Sequence, residues 1–355
     1  MTATTTDRNR TEPALPVARG PISAALIATL AAPHEPSPDV SQVQEADPYG
    51  DDLQVALYTL YEMHYRGFAG VAEDREWDPE LMPLRRALEE RFLGALRADV
   101  PGRDVDTVFG GLLLESDDHR DGVAHYLEHE GEVGQIREYA ALRSLYHLKE
   151  ADPHVWVIPR LRGRAKAGMA AVEYDEFGAG RAENVHARLF AELMADLGLE
   201  TRYGHYLDAA PAPALAVVNV MTLFGLRRAL RGALVGHFAC VEVTSSPGSR
   251  RLAAAMRRTG AGPAAERFYT EHVEADAVHE QVVRREVIGG LLADEPHLEA
   301  DVAFGADVTV FLENRLAAHL LKAWRAGKPA LLRRPTDDGS PTQAGRPCPS
   351  GRPEA

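Results

Sequence analysis

The 355 residues carry a formal net charge of −14 and are 45% hydrophobic with few aromatics, enough apolar material for one large domain or two small ones. That acidic balance speaks against nonspecific binding to nucleic acid or to an anionic membrane, since both need a surplus of Lys and Arg. The only cysteines are Cys240 and Cys348, which argues against a disulfide framework and makes a reducing cytoplasm the expected compartment.

Residues 1–47 are rich in Thr, Pro and Ala without periodicity and read as a disordered arm. The apolar run Ala24 to Ala32 is too short to span a bilayer and reads as a short helix or part of the arm, in preference to a signal peptide. A helical region is expected at 48–133, with helices over Leu53 to Phe68, Pro83 to Leu96 and Asp104 to Tyr126. A second helical unit is expected at 134–327, because apolar residues recur at three and four and no alternating run suggests a sheet. Its first helix carries Ile136, Tyr139, Leu142 and Tyr146 on one stripe that Glu150 continues. The next runs from Asp152 to Phe177, where glycines stop it, and another from Ala182 to Leu197. Further helices are expected over Ala214 to Val243, Ala264 to Leu292 and His297 to Ala326. Residues 328–355 read as a disordered tail. The fold class expected is all-α.

The chemistry concentrates in the second unit. In Thr270-Glu271-His272-Val273-Glu274-Ala275-Asp276-Ala277-Val278-His279 the spacing of His272, Asp276 and His279 is i, i+4, i+7. At the helical repeat these side chains fan over about 60° of one face. Phe268 and Val282 extend the same stripe, so the triad faces a core. Glu150 and Glu242 also sit on apolar stripes, where a carboxylate is costly unless it is paired or bound to a metal. Any one of these fits an ordinary buried ion pair, but the whole set does not. Carboxylates mixed with imidazoles and no thiolates point to iron or manganese rather than structural zinc. Four or more carboxylates favour two cations, as in the dinuclear sites of helical bundles. The paired Glu-x-x-His motifs of ferritin-like proteins are not matched, since Glu183-Asn184-Val185-His186 supplies only one.

With Glu150, Glu176, His186 ten residues later, Glu242 and the His-x3-Asp-x2-His helix, the chain resembles the haem-oxygenase-like diiron oxidases and oxygenases, the iron-containing redox enzyme family. The resemblance covers about 134–327, and the separations are similar to the three-histidine, four-carboxylate pattern of its N-oxygenating branch. It implies a haem-oxygenase-like helical bundle holding two Fe(II) ions through Glu150, Glu176, His186, Glu242, His272, Asp276 and His279, with O2 as co-substrate. Glu176 and Glu183 compete for one position; Glu176 is preferred, and Glu183 is kept as a ligand or a close neighbour of the metals.

The resemblance also implies oxygenation of the nitrogen of a lysine-like amino acid or small amine, in natural-product biosynthesis. An external electron donor could serve the reaction. The alternatives are C–C cleavage, decarboxylation or desaturation of an aliphatic acid by the same cluster, and a non-enzymatic iron-binding protein. A true haem oxygenase fits least, because it needs one proximal His and a haem pocket. The region 48–133 could cover the core or mediate a homodimer. His125 and His129 read as a solvated face, Cys240 as a small core residue, and Glu62 with His64 as residues on different helix faces. No phosphate loop, nucleophile elbow or dinucleotide fingerprint is present.

Overall fold

The computed structural model describes residues 12–32, 39–100, 102–113 and 122–333, the side chains of 113 and 274–277 excepted. The described residues form helices and turns without a strand. The N-terminal layer contains α1 (Pro21–Ala31), α2 (Asp51–Glu62), α3 (Met82–Asp99), α4 (Val105–Leu113) and α5 (Val123–His129). Then follow α6 (Val133–His147), α7 (Asp152–Val155), α8 (Gly163–Glu176), α9 (His186–Asp196), α10 (Ala212–Leu226) and α11 (Arg231–Thr259). Helix α12 (Pro263–Val282) continues through a π-helical segment (Val283–Ile288) into α13 (Gly289–Asp294), and α14 (Glu299–Arg325) closes the bundle.

The long helix α11 is the axis, packed along both α12 and α14. It crosses α14 through two glycines. A Cβ on Gly236 would collide with the Val302 carbonyl, and one on Gly305 with the Ala233 carbonyl, so the two backbones touch only because both side chains are absent. The helix expected over Ala214 to Val243 is instead two, α10 and α11, bent by 107°. The break falls at Arg227, whose extended backbone (φ −96°, ψ 110°) ends α10 and whose guanidinium is held by Glu89 of α3. Among the described residues no single helix is long and apolar enough to cross a membrane, although the bent α10–α11 pair passes that test by length and composition.

Part of the expected N-terminal arm is ordered. Ile22, Leu26 and Leu30 of α1 are buried, and the Ile22 and Ser23 N–H groups donate to the Asp52 carboxylate at 3.0 and 2.7 Å. Arg19 donates to the Leu207 and Ala210 carbonyls. Pro21 at the first helical position and Ser23, which accepts from the Gly20 N–H, are local start signals, but the capping carboxylate comes from a residue 29–30 positions away. Residues 1–11 and 33–38 lie outside the described residues. The expected tail is likewise anchored at its start: Ala330 and Leu331 are buried, and the Ala330 N–H donates to Glu138. Residues 334–355 lie outside the described residues. One apolar cluster runs from Ile22 to Leu331, so the N-terminal helices are layers of the same core.

Candidate metal centre

Five chain segments aim acidic or imidazole groups into one space: the turn after α6, the end of α8, the start of α9, α11 and α12. Glu150 reaches it from a turn, not from the helical stripe expected. Helix α6 ends at His147, residues 148–150 form a turn, and Ala151 adopts φ 75° ahead of Pro153. Pro153 takes the second position of α7, where its missing N–H costs no helical hydrogen bond, so a new helical turn starts just beyond the break. Glu150 is buried and accepts from His147 Nδ1 at 2.6 Å, while its Oε2 has no hydrogen-bond partner among the described residues.

Glu176 is the last residue of α8. The left-handed run Gly178, Ala179 and Gly180 (φ 75°, 51° and 80°) then reverses the chain. Tyr174 Oη braces this loop by donating to the Ala179 carbonyl at 2.8 Å. The reversal returns His186, the first residue of α9, to Glu176, with Nδ1 2.7 Å from Oε2. The helix expected to place Glu183 and His186 on one face begins only at His186, and Glu183 is exposed on the preceding 3-10 turn. Glu183 is therefore outside the cluster.

On α12, His272 donates from Nδ1 to the Phe268 carbonyl at 2.7 Å, which turns Nε2 inward, 3.8 Å from Glu150 Oε1. This is the arrangement that orients a metal-binding imidazole. Two turns later, His279 Nδ1 lies 3.2 Å from Glu242 Oε2 of α11 and 3.8 Å from Glu176 Oε1, and its Nε2 lies 3.2 Å from Asp175 Oδ2. Asp276 lies on α12 between the two histidines, but its side chain is outside the described residues. The π-helical segment begins four residues after His279; such segments occur frequently at functional sites.

Ligand atoms of Glu150, Glu176, His186 and His272 lie within 4.8 Å of one another, and so do those of Glu176, Glu242 and His279. Glu176 belongs to both groups. All six side chains are buried. Burial pushes the Glu150 carboxyl up, but the His147 and His272 imidazoles hold it well below the usual range. Burial works against the His279 cation, yet Glu242, Asp175 and Glu176 raise its pKa to about 9. Three carboxylates and three imidazoles without a thiolate suit iron.

Several residues here were not read from the sequence. His147 orients Glu150, and Asp175 touches His279. Glu173, one turn before Glu176, is 2% exposed with neither carboxylate oxygen hydrogen-bonded among the described residues. Burial first, then Glu176 and Glu242, pushes its carboxyl well above the usual range. The i, i+3 spacings of His147–Glu150 and Glu173–Glu176 were the available signals. His125, Glu128 and His129 also cluster, but they are partly exposed and Arg251 approaches His125 and Glu128, which disfavours a cation there. Cys240 is buried, and burial raises its thiol to about 12.

A cavity of about 320 Å³ adjoins the cluster, with Glu150, Glu176, Glu242 and His272 in its wall and Tyr146, Phe238 and Phe268 around it. His154 also lines it; burial first, then His237, keeps its imidazole neutral by lowering its pKa well below the ordinary value. Its Nε2 has no hydrogen-bond partner among the described residues.

Comparison with known proteins agrees with this geometry. The chain is 25% identical over 145 residues to a nitrosourea synthase of Streptomyces achromogenes subsp. streptozoticus, a stretch covering 41% of this chain and 31% of that relative. The match thus spans less than a third of the relative's length. A family of iron-containing redox enzymes matches residues 137–314, half of the chain and the span holding every residue of the cluster. The all-α bundle and this match place the chain in the iron-containing redox enzyme family.

Proposed function

We propose that the protein is a non-haem diiron oxygenase that transfers one oxygen atom of O2 to the amine nitrogen of an amino acid or small amine. The observation that carries this reading is Glu176, shared by two groups of ligand atoms: Glu150, His186 and His272 on one side, Glu242 and His279 on the other. Glu176 would be shared by two cations held in those groups, and their mixture of carboxylates and imidazoles suits divalent iron. Two Fe(II) ions held there would supply the reduction of O2 and the transfer of oxygen. Asp276 completes the proposed ligand set from α12.

The chain's own groups set the conditions for that chemistry. His147 Nδ1–H and the Phe268 carbonyl hold Glu150 and His272 in fixed orientations. Phe238, Phe268 and Tyr146 keep the cavity apolar around the reacting position. An amine reacts at nitrogen only when unprotonated, and neutral His154, with no partner on Nε2 among the described residues, can accept a hydrogen bond from it without adding a positive charge to the cavity. The balance for a first oxidation is RNH2 + O2 + 2e− + 2H+ → RNHOH + H2O, with the electrons from an external donor. The likeness to a protein named for making a nitrosourea supports chemistry at nitrogen rather than carbon.

The test is anaerobic loading with Fe(II), mixing with O2 and a panel of amino acids and amines, and mass analysis of the products. Hydroxylamine, oxime or nitro products are expected. Formaldehyde, CO2 or an alkene would assign oxidation at carbon, and O2 uptake indifferent to every substrate would assign an iron-binding role.

A further inference from the structure

The cavity wall holds a second charged feature that the metal ligands do not use. Arg143, one helical turn before His147 on α6, forms a forked pair with Glu313 of α14, with Nη1 to Oε1 at 2.7 Å and Nη2 to Oε2 at 2.6 Å. Both residues line the cavity, and 19% of the Arg143 side chain and 33% of the Glu313 side chain remain accessible. The pair is therefore reachable from the cavity rather than sealed beneath it. Here both charges face an aromatic chamber. Tyr139, its ring 5.1 Å from the guanidinium, and Tyr269 stand beside them in the same wall. The Tyr269 hydroxyl is buried and has no hydrogen-bond partner among the described residues.

We infer that Arg143 and Glu313 are the anchor for the zwitterionic head group of a free α-amino acid, holding its carboxylate and its ammonium respectively. The fork uses two of the five guanidinium N–H groups and one lone pair on each carboxylate oxygen, so both partners keep bonding capacity. An ammonium against Glu313 and a carboxylate against Arg143 complete an alternating set of four charges. A plain amine leaves the remaining Arg143 donors, and a plain acid the remaining Glu313 acceptors, without a ligand group to bond, so each binds more weakly. Although burial pushes Glu313 up, Arg143 keeps it ionised, so the anchor is charged at neutral pH. The helical turn between Arg143 and His147, about 5.4 Å of rise, leaves the amino-acid side chain to extend toward the cluster.

This assignment rests on the oxygenase reading, and the experiment separates the two. Full-length protein loaded anaerobically with Fe(II) is titrated by calorimetry with the protein-forming L-amino acids and their decarboxylated amines. L-Lysine is compared with cadaverine and 6-aminohexanoate, which lack the α-carboxylate and the α-amine. At least one L-amino acid is expected to bind tenfold or more tighter than its head-group-deficient counterparts. In Arg143→Met/Glu313→Leu, which replaces both charges together and so spares the fold an unpaired one, that preference is lost while iron stoichiometry and the thermal melt are kept. The assignment is overturned if no L-amino acid binds, if the amine binds as tightly as its parent, or if the double variant keeps the preference. Head-group-selective binding without an N-oxygenated product would overturn the oxygenase reading and leave the anchor standing. Oxygenation of cadaverine as efficient as that of lysine would do the reverse.

Discussion

Lys149 and Glu150 are joined by one peptide bond and belong to two different kinds of buried charge. The Lys149 ammonium, 2% exposed, points into the N-terminal layer, where it meets Glu62 at 2.8 Å and lies over the rings of Tyr58 and Tyr65. Glu62 is completed by the Tyr203 hydroxyl at 2.7 Å. Cation and anion match one for one, and the phenol fills the remaining acceptor. Glu150 points the other way, into a cluster with Glu176 and Glu242, where some carboxylate oxygens, including both of nearby Glu173, have no hydrogen-bond partner among the described residues. The first set is complete without any ion; the second leaves room for cations. Self-sufficiency of the charges, rather than burial, separates a structural network from a metal centre.

The largest effect should come from breaking the complete set. Lys149→Met leaves Glu62 buried beside phenols without a cation and should cost about 3–5 kcal/mol in urea or thermal unfolding. A loss of under about 1 kcal/mol would show that the two networks are not different in kind. On the open side, Glu176→Ala should leave the metal-free fold intact but remove the group shared by both halves. Iron content is then expected to fall from two ions per chain to one or none. The affinity of the remaining site should drop by more than the roughly 10–100-fold typical of residues that only support a ligand. Two irons retained at wild-type affinity would remove Glu176 from the bridging role.

A pH titration sharpens the contrast further. The folded pKa of His279 is raised from 6.5 to about 9 by Glu242, Asp175 and Glu176, against the effect of burial. Its stabilisation of the metal-free protein is therefore fully present below pH 6.5 and lost as pH rises through 9. His279→Gln should flatten that slope in melts taken across this window. Iron competes with the same proton, so wild-type affinity should rise over the same range. The smallest effect is expected from Glu173→Gln. Because the Glu173 pKa is raised, its protonated form favours the fold at low pH and that contribution is lost as pH rises. The metal-free variant should match wild type in acid and become the more stable of the two in base, and a crossing in the opposite sense would mean that Glu173 is held ionised.

Some of the cluster was legible because it is local. His272 and His279 share one helix, and the 3.6-residue repeat converts their spacing into a common face. Glu242 follows its apolar stripe on α11 for the same reason. Glu150 reaches the cluster by another route, since the helix expected to carry it stops at His147 and the turn through Ala151 re-aims it. Glu183 was kept open because a helix was assumed to include it, whereas α9 starts at His186. For α1 the sequence leaves a short helix and a disordered arm both open, because the capping carboxylate, Asp52, arrives from another helix.

The sequence by itself determined the all-α class and the helix face shared by His272 and His279, because composition and helical periodicity act over a few residues. Only the tertiary structure decided that Glu176 faces both halves of the cluster, that Lys149 and Glu150 part in opposite directions, and that Arg143 meets Glu313 across 170 residues in the cavity wall. Each of these depends on where helices cross and where turns reverse the chain. Buried charge is costly enough that such crossings are selected by long-range pairing, which leaves no local pattern to read.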